Sequence, residues 1–195
     1  MRRSEQKAHT RKKVLETARA CFLEFGYEAT TIAQVATRAD VANGTVLSHF
    51  PDKQQLVVAC FIAEIDDLLL QARAALPSVG IIDQLLTFAS TLYRWYARRP
   101  ELSKALVQAT LFEAGQPGSD LSAQLTDFLG EVGRLIAAAD GRGELLQPID
   151  PQIAAHGFFA DYLAVLIGGL AGSIPSAEAQ LMLLRALLSM RLRPH

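Results

Sequence analysis

The sequence predicts an all-α fold, with a small N-terminal helical domain followed by a larger helical one. Three observations carry this. Apolar residues recur three or four apart along most of the chain, which lines them up on one face of a helix. Between these stretches stand helix stop and start signals, at Gly26, Pro77, Pro100, Gly115 to Gly118, Gly141 to Gly143 and Gly172 to Pro175. No segment alternates apolar and polar residues as a half-buried strand does, and no internal repeat is visible. The chain has 195 residues, 50% of them hydrophobic, enough for a core that needs no disulfide or metal staple.

The first helix is expected from about Thr10 to Phe25. Val14, Leu15, Ala18, Cys21, Phe22 and Phe25 form its stripe, and Gly26 closes it, since glycine takes a left-handed turn without steric cost. Thr31-Ile32-Ala33-Gln34 reads as a capping box that starts a short second helix, with Ile32, Val35 and Ala36 inward. It ends near Ala39-Asp40. A third short helix follows from about Ala42 to His49, held by Val41 and Val46 and ended by Phe50-Pro51. Asp52 caps a fourth helix, carrying Leu56, Val57, Cys60, Phe61, Ile65, Leu68 and Leu69 to about Ala75. Further helices are expected at about 81–98, 101–113, 119–139, 151–171 and 176–191. Gly168-Gly169 lies inside one of these apolar runs and reads as a place of close packing.

Charge is unevenly spread. The formal net charge is −1, but from Met1 to Lys53 nine basic residues oppose six acidic ones, leaving +3 on the head and −4 on the remainder. A basic head on an acidic body suits a protein that meets phosphate with its head only. Cys21 and Cys60 are isolated within apolar patterns and read as buried small hydrophobes in a reduced, cytoplasmic setting. The basic, polar start has no apolar segment behind it, so no secretory signal is expected. The apolar stretch from Tyr162 to Ala171 is too short to span a bilayer, so no membrane partner is expected.

The most informative stretch is Thr30 to Lys53. Two short helices joined by a tight turn at Ala39-Asp40-Val41 have the geometry that lays the second helix in a major groove. Ala42, Asn43 and Gly44 open that second helix, small enough for its backbone to approach DNA closely, and its free N–H groups suit a phosphate. Asparagine pairs with adenine edges. Threonine offers a methyl or a hydroxyl.

Four linked features resemble the TetR family of transcriptional repressors. They are the Phe25-Gly26-Tyr27 helix end, the Thr30-Thr31 start, the Gly44-Thr45 step, and His49-Phe50-Pro51-Asp52-Lys53 behind it. The match is tight over about the first quarter of the chain. It implies a three-helix helix-turn-helix DNA-binding domain over 1–54 and a helical ligand-binding and dimerisation domain over 55–195. By the resemblance, Thr31 and Lys53 contact phosphate, Asn43, Thr45 and Ser48 face base edges or nearby backbone, and His49 lies on the DNA-facing or phosphate-facing side; Gly44 and Leu47 are counted with this DNA-binding surface by their place on the same helix. One position departs from the pattern: Leu47 stands where the family usually has tyrosine. Leucine cannot donate to a phosphate; it either packs inward or touches a thymine methyl.

The larger domain has more apolar sequence than a DNA-reading head needs. The resemblance implies a small-molecule effector there. The aromatics available to it are Phe88, Tyr93, Trp95, Tyr96, Phe112, Phe158, Phe159 and Tyr162, with His156 as a polar handle; each is also ordinary core material. No charged cluster accompanies them, which points to a lipophilic effector. A dimer surface is expected on the last two long helices, along Ala154, Ala155, Phe158, Tyr162, Val165 and Leu166, and along Leu181, Leu184, Leu187 and Leu188. A homodimer implies a near-palindromic double-stranded operator. No catalytic residues, metal ligands or cofactor are expected. Ser48 and His49 are adjacent and point about 100° apart on a helix. His9, His49, His156 and His195 lack metal-ligand spacing, and Gly141-Arg142-Gly143 lacks the lysine and length of a phosphate loop. The competing expectation keeps DNA binding but drops the effector: a dimeric protein that organises DNA or bridges it to a partner.

Overall fold

The computed structural model describes residues 3–78, 80–113 and 120–193. Its helices are α1 (Arg3–Ala29), α2 (Ile32–Arg38), α3 (Asn43–His49), α4 (Lys53–Ala74), α5 (Ile81–Ala97), α6 (Pro100–Glu113), α7 (Asp120–Gly141), α8 (Pro151–Leu170) and α9 (Ala177–Ser189). The all-α expectation holds. Among the described residues the extended pairing is a single isolated bridge, Leu145 with Leu192. The main departure is α1, which begins at Arg3 rather than near Thr10. Its first turns are polar and exposed, so no apolar stripe marked them. Gly26 interrupts α1 at φ 81° and ψ 173°, a positive-φ conformation open to glycine but more extended than the left-handed helical turn expected there, and the chain turns once more to Ala29.

The chain divides into two compact units. One comprises residues 1–64 and 101–121, the other 65–100 and 122–195, with α4 continuing from the first into the second.

In the first unit, α1 packs on α2 and α3. Val14, Ala18, Cys21 and Phe22 of α1 meet a core that also holds Val35, Ala36, Ala39, Val46, Phe50, Leu56, Val57 and Phe61, all buried. Burying each such large side chain contributes roughly 1.5–3 kcal/mol, so these short helices are held by packing rather than by propensity. Both cysteines are buried and unpaired, as expected, and Cys60 Sγ donates to the Leu15 carbonyl at 3.6 Å. Burial pushes the Cys60 thiol up to about 12, which leaves it an inert hydrophobe at neutral pH.

In the second unit, α5 packs on α8 and α9, and α8 packs on α9. Their inward faces bury Phe88, Tyr93 and Tyr96 from α5, Phe158, Tyr162 and Leu166 from α8, and Leu184 and Leu188 from α9. The glycine pair allows close approach. A Cβ at Gly169 would overlap the Gln180 amide, and one at Gly168 would crowd Ile174. Gln180 is buried and donates to the Val165 carbonyl at 3.0 Å. Glu144, also buried, accepts from Ile81 N at 2.7 Å and from Arg142 Nε at 2.5 Å, and so caps the start of α5. Those donors, the Arg142 hydrogen bond foremost, hold its carboxyl below the ordinary range.

The expectation about membrane-length segments is corrected by α8. Its 20 residues are long and apolar enough, by length and composition, to cross a membrane. The sequence reading took Gly-rich Tyr162 to Ala171 alone, whereas the helix begins at Pro151, capped by Asp150 accepting from the Gln152 and Ile153 N–H groups. Here five residues of α8 are buried in the unit.

Candidate nucleic-acid interface

The turn between α2 and α3 is built from backbone hydrogen bonds. Asp40 N donates to Thr37 O, and Val41 N donates to Ala36 O, while Asp40 itself sits at φ 50°. This closes the C-terminus of α2 in the manner usually served by glycine; aspartate tolerates the left-handed region better than most residues. The chain then re-enters a helix at Asn43, one residue beyond Ala42.

The α3 helix has a single fully buried residue, Val46. Around it Asn43, Gly44, Leu47 and Ser48 are exposed, and Thr45 and His49 are half-buried. Asn43, Gly44 and Leu47 fall on one side by their spacing. Among the described residues the Asn43 side chain makes no hydrogen bond. A Cβ at Gly44 would meet no atom within 4 Å. Leu47 is 41% exposed, so the alternative of inward packing is set aside. The Ser48 hydroxyl turns back to donate to the Thr45 carbonyl at 2.7 Å, which directs its proton away from any base.

Thr31 forms the expected capping box. Its hydroxyl accepts from Gln34 N at 3.2 Å, and Gln34 Oε1 accepts from Thr31 N at 2.8 Å. The same hydroxyl donates to Gln34 Oε1 at 3.1 Å, so its one proton is already engaged. Lys53, first residue of α4, donates to the carbonyls of Tyr27 at 3.0 Å and Glu28 at 3.3 Å, and its ammonium lies 4.2 Å from the centre of the Tyr27 ring. It therefore ties down the end of α1, and an ammonium has a third N–H besides. This anchoring role has no signature in sequence, because 25 residues separate Lys53 from Glu28.

Two cations on α1 join the same end of the unit. The Arg11 guanidinium stacks over Phe50 at 5.1 Å, next to His49. Burial first, then the charges of Lys7 and Arg11, hold the His49 imidazole below its ordinary value. The four-residue spacing of Lys7 and Arg11 was the available signal. Among the described residues no group of three or more His, Cys, Asp or Glu side chains could hold a metal.

The expected pocket residues separate into groups. Phe88, Tyr93, Tyr96 and Tyr162 are buried, and they pack on neighbouring rings. Tyr93 and Tyr162 stack with centres 5.2 Å apart, and the Tyr93 hydroxyl donates to the Tyr162 carbonyl at 3.0 Å. Phe159 is half-buried beside Tyr162. His156 does not join them: it is exposed, and its Nδ1 pairs with the Gln152 carbonyl of its own helix at 2.7 Å. The Phe112 side chain lies outside the described residues. A separate open groove of about 350 Å³ runs between α5 and α9, lined by Leu86, Thr87, Ser90, Leu181 and Met182, with the Asp83–Arg185 ion pair at 2.5 Å.

The expected dimer residues fall on inward faces. Ala155, Phe158, Tyr162, Val165, Leu166, Leu184 and Leu188 are buried within the unit, and Leu181 is half-buried. The enclosed side chains among them are taken up with packing inside the unit. The open sides of these helices carry Ile153, Ile167, Met182, Leu183 and Met190 instead. Choosing the most continuous apolar stripe selects core, and α8 is apolar nearly all round, which hides the second face.

Residues 14–60 match the sequence profile of bacterial regulatory proteins of the tetR family. Over 110 residues the chain is 34% identical to the HTH-type transcriptional repressor KstR of Mycolicibacterium smegmatis, covering 56% of this chain. That alignment spans about half the relative's length, 54%. The fold is similar to full-length tylp, a tetR regulator of Streptomyces fradiae, at 27% identity and TM-score 0.55, covering 98% of this chain and 83% of that one. It is also similar to SmeT, the repressor of the Stenotrophomonas maltophilia multidrug efflux pump SmeDEF, at 22% identity and TM-score 0.60, covering 94% and 90%. SmeT has been solved in complex with triclosan.

Proposed function

We propose that this chain is a regulator of the TetR type, as its match to that profile over residues 14–60 suggests, and that it acts as a sequence-specific, ligand-released homodimeric repressor. The observation that carries the reading is the outer side of α3. It holds an amide with no partner among the described residues, a glycine facing open space and an exposed leucine, on a helix fixed from behind by Val46. These are groups for reading base edges. Thr45, His49 and Lys53, with Lys7 and Arg11, supply the surrounding polar and cationic contacts that position the duplex, while the Thr31 and Ser48 hydroxyls keep their protons on Gln34 and the Thr45 carbonyl. Residues 1–54 are the DNA-binding part and 55–195 the effector and dimer part.

Dimerisation is assigned to the open sides of α8 and α9, through Ile153, Ile167, Met182, Leu183 and Met190. Two-fold symmetry then calls for a near-palindromic operator. The effector is a lipophilic small molecule held among the aromatic side chains of α5 and α8. Because Tyr93 and Tyr162 are stacked on each other here, such a ligand enters by parting them. Release follows if the ligand binds that parted state more tightly than the DNA-bound one, with α4 as the covalent link back to Lys53. The protein acts in the cytoplasm and is not an enzyme.

A second reading, the effector-independent DNA-organising or bridging dimer, draws on the same stacked aromatics and on the apolar residues left open on α8 and α9.

The test is fluorescence anisotropy with labelled duplex from upstream of the chain's own gene, against a scrambled duplex at one fixed salt. A preference of roughly a thousandfold or more is expected of a specific reader. Asn43→Ala should erode that preference, and Lys53→Ala should weaken all duplexes alike. Equal, weak binding of both duplexes, untouched by either variant, overturns the repressor reading. Retained preference with no release by any lipophilic compound favours the bridging reading.

A further inference from the structure

We propose that Leu47 reads thymine: its side chain seats the 5-methyl group of a thymine in the major groove of each half-site. This rests on the DNA-binding reading above and names the base chemistry that the α3 surface takes.

Leu47 is an exposed apolar residue on a helix whose packing is already provided by Val46, which is fully enclosed. One turn back on the same side lie Asn43 and Gly44. The atom inventory of that side is short. Asn43 offers an amide, whereas Gly44 offers a gap, since a Cβ there would meet nothing within 4 Å. The Ser48 hydroxyl is turned to the Thr45 carbonyl and its proton is engaged. Leu47 therefore presents its methyl groups beside a space that the protein itself leaves empty.

A leucine cannot satisfy a phosphate, which needs a donor, nor the N7, O6, N6 or N4 groups of the other bases, which each want a hydrogen-bond partner. Desolvating any of those against Leu47 would cost free energy. In the major groove thymine alone offers an apolar group, its C5-methyl. The gap at Gly44 lets the base edge come close enough for contact. Asn43 beside it is suited to an adenine edge, so an A·T-rich step at this place in the half-site fits both side chains.

The experiment uses the full-length protein. A pool of random duplexes is selected against it, and the winning duplex is resynthesised with deoxyuridine replacing one thymine at a time, which removes a single methyl. Burial of one methyl group corresponds to about a fourfold change in affinity. Wild type should lose about fourfold at one thymine per half-site and nothing at the others. Leu47→Ala should bind the thymine and deoxyuridine forms equally, while Leu47→Met, which keeps an apolar side chain, should retain the penalty. Unchanged melting of both variants checks their folding.

If wild type prefers the selected duplex over a scrambled one but is indifferent to every deoxyuridine, or if Leu47→Ala keeps the penalty, the thymine assignment is overturned and the DNA-binding reading stands. A selected half-site without thymine overturns it as well. If no duplex is enriched, both readings fall together.

Discussion

Replacing Gly44 by alanine should make the free protein more stable and a poorer DNA binder at once. Glycine within a helix costs about 1 kcal/mol relative to alanine, because the unfolded chain has more freedom to lose. Two things normally excuse such a glycine: a left-handed backbone, or a neighbour too close for a Cβ. Gly44 has neither, since it is absent from the positive-φ glycines and its Cβ would meet no atom within 4 Å. It is the second residue of α3, so the full interior value does not apply; a gain of roughly 0.5–1 kcal/mol is reasonable. For a chain of this size that raises the melting temperature by about 1–4 °C. Differential scanning fluorimetry on wild type and Gly44→Ala reads the first half. Anisotropy with the selected duplex reads the second, with an expected loss of about tenfold or more if the added methyl holds the duplex away from α3, since misfitting contacts there typically cost about 1–3 kcal/mol. A stabilised variant that binds DNA as well as wild type would refute the idea that this gap serves the duplex. A destabilised variant would refute the open-space reading itself.

Other expectations follow from the same contacts. Thr31→Ala removes the cap of α2 and should cost about 1 kcal/mol by thermal melting, with Thr31→Ser recovering most of it. Gly169→Ala sets a Cβ against the buried Gln180 amide and should destabilise by about 1–3 kcal/mol in denaturant titration; a neutral result would mean that the Gln180 amide leaves the Val165 carbonyl and swings aside at little cost. Burial pushes the Tyr96 phenol up to about 12 from 10.0. Its neutral form is thus favoured in the folded state, so the stability it contributes is intact below pH 10 and is lost as pH rises from 10 toward 12. A phenolate absorbance titration should show that Tyr96→Phe removes one late-titrating group and lessens the alkaline loss of stability.

Much of the fold was legible in the sequence, and the reason is local. The capping box at Thr31 and Gln34, the stop at Gly26 and the breakers between later helices act over three or four residues, so their residue types announce them. The 3.6-residue periodicity does the same for Val14, Ala18, Cys21 and Phe22. The exposed first turns of α1 had no stripe and were missed for that reason. Within the candidate interface, the order of helices and the buried Val46 followed from pattern. The second bonds made by individual polar groups did not. Ser48 turning back to Thr45, the Thr31 proton held by Gln34, and Lys53 anchoring Tyr27 and Glu28 are choices among several partners of similar energy.

In the larger unit the division is sharper. Sequence determined that α8 and α9 are apolar helices, because composition alone fixes that they must bury surface. Only the tertiary structure decided which side each one buries. On α8 nearly every side qualifies, and packing against α5 and α9 enclosed Phe158, Tyr162 and Leu166 while leaving Ile153 and Ile167 open. The same holds for Glu144, whose buried carboxylate caps α5 across 63 residues of sequence. Free energy of this kind depends on which groups the packed chain brings within a few ångströms, and that information is shared by distant residues rather than carried by any one stretch of them.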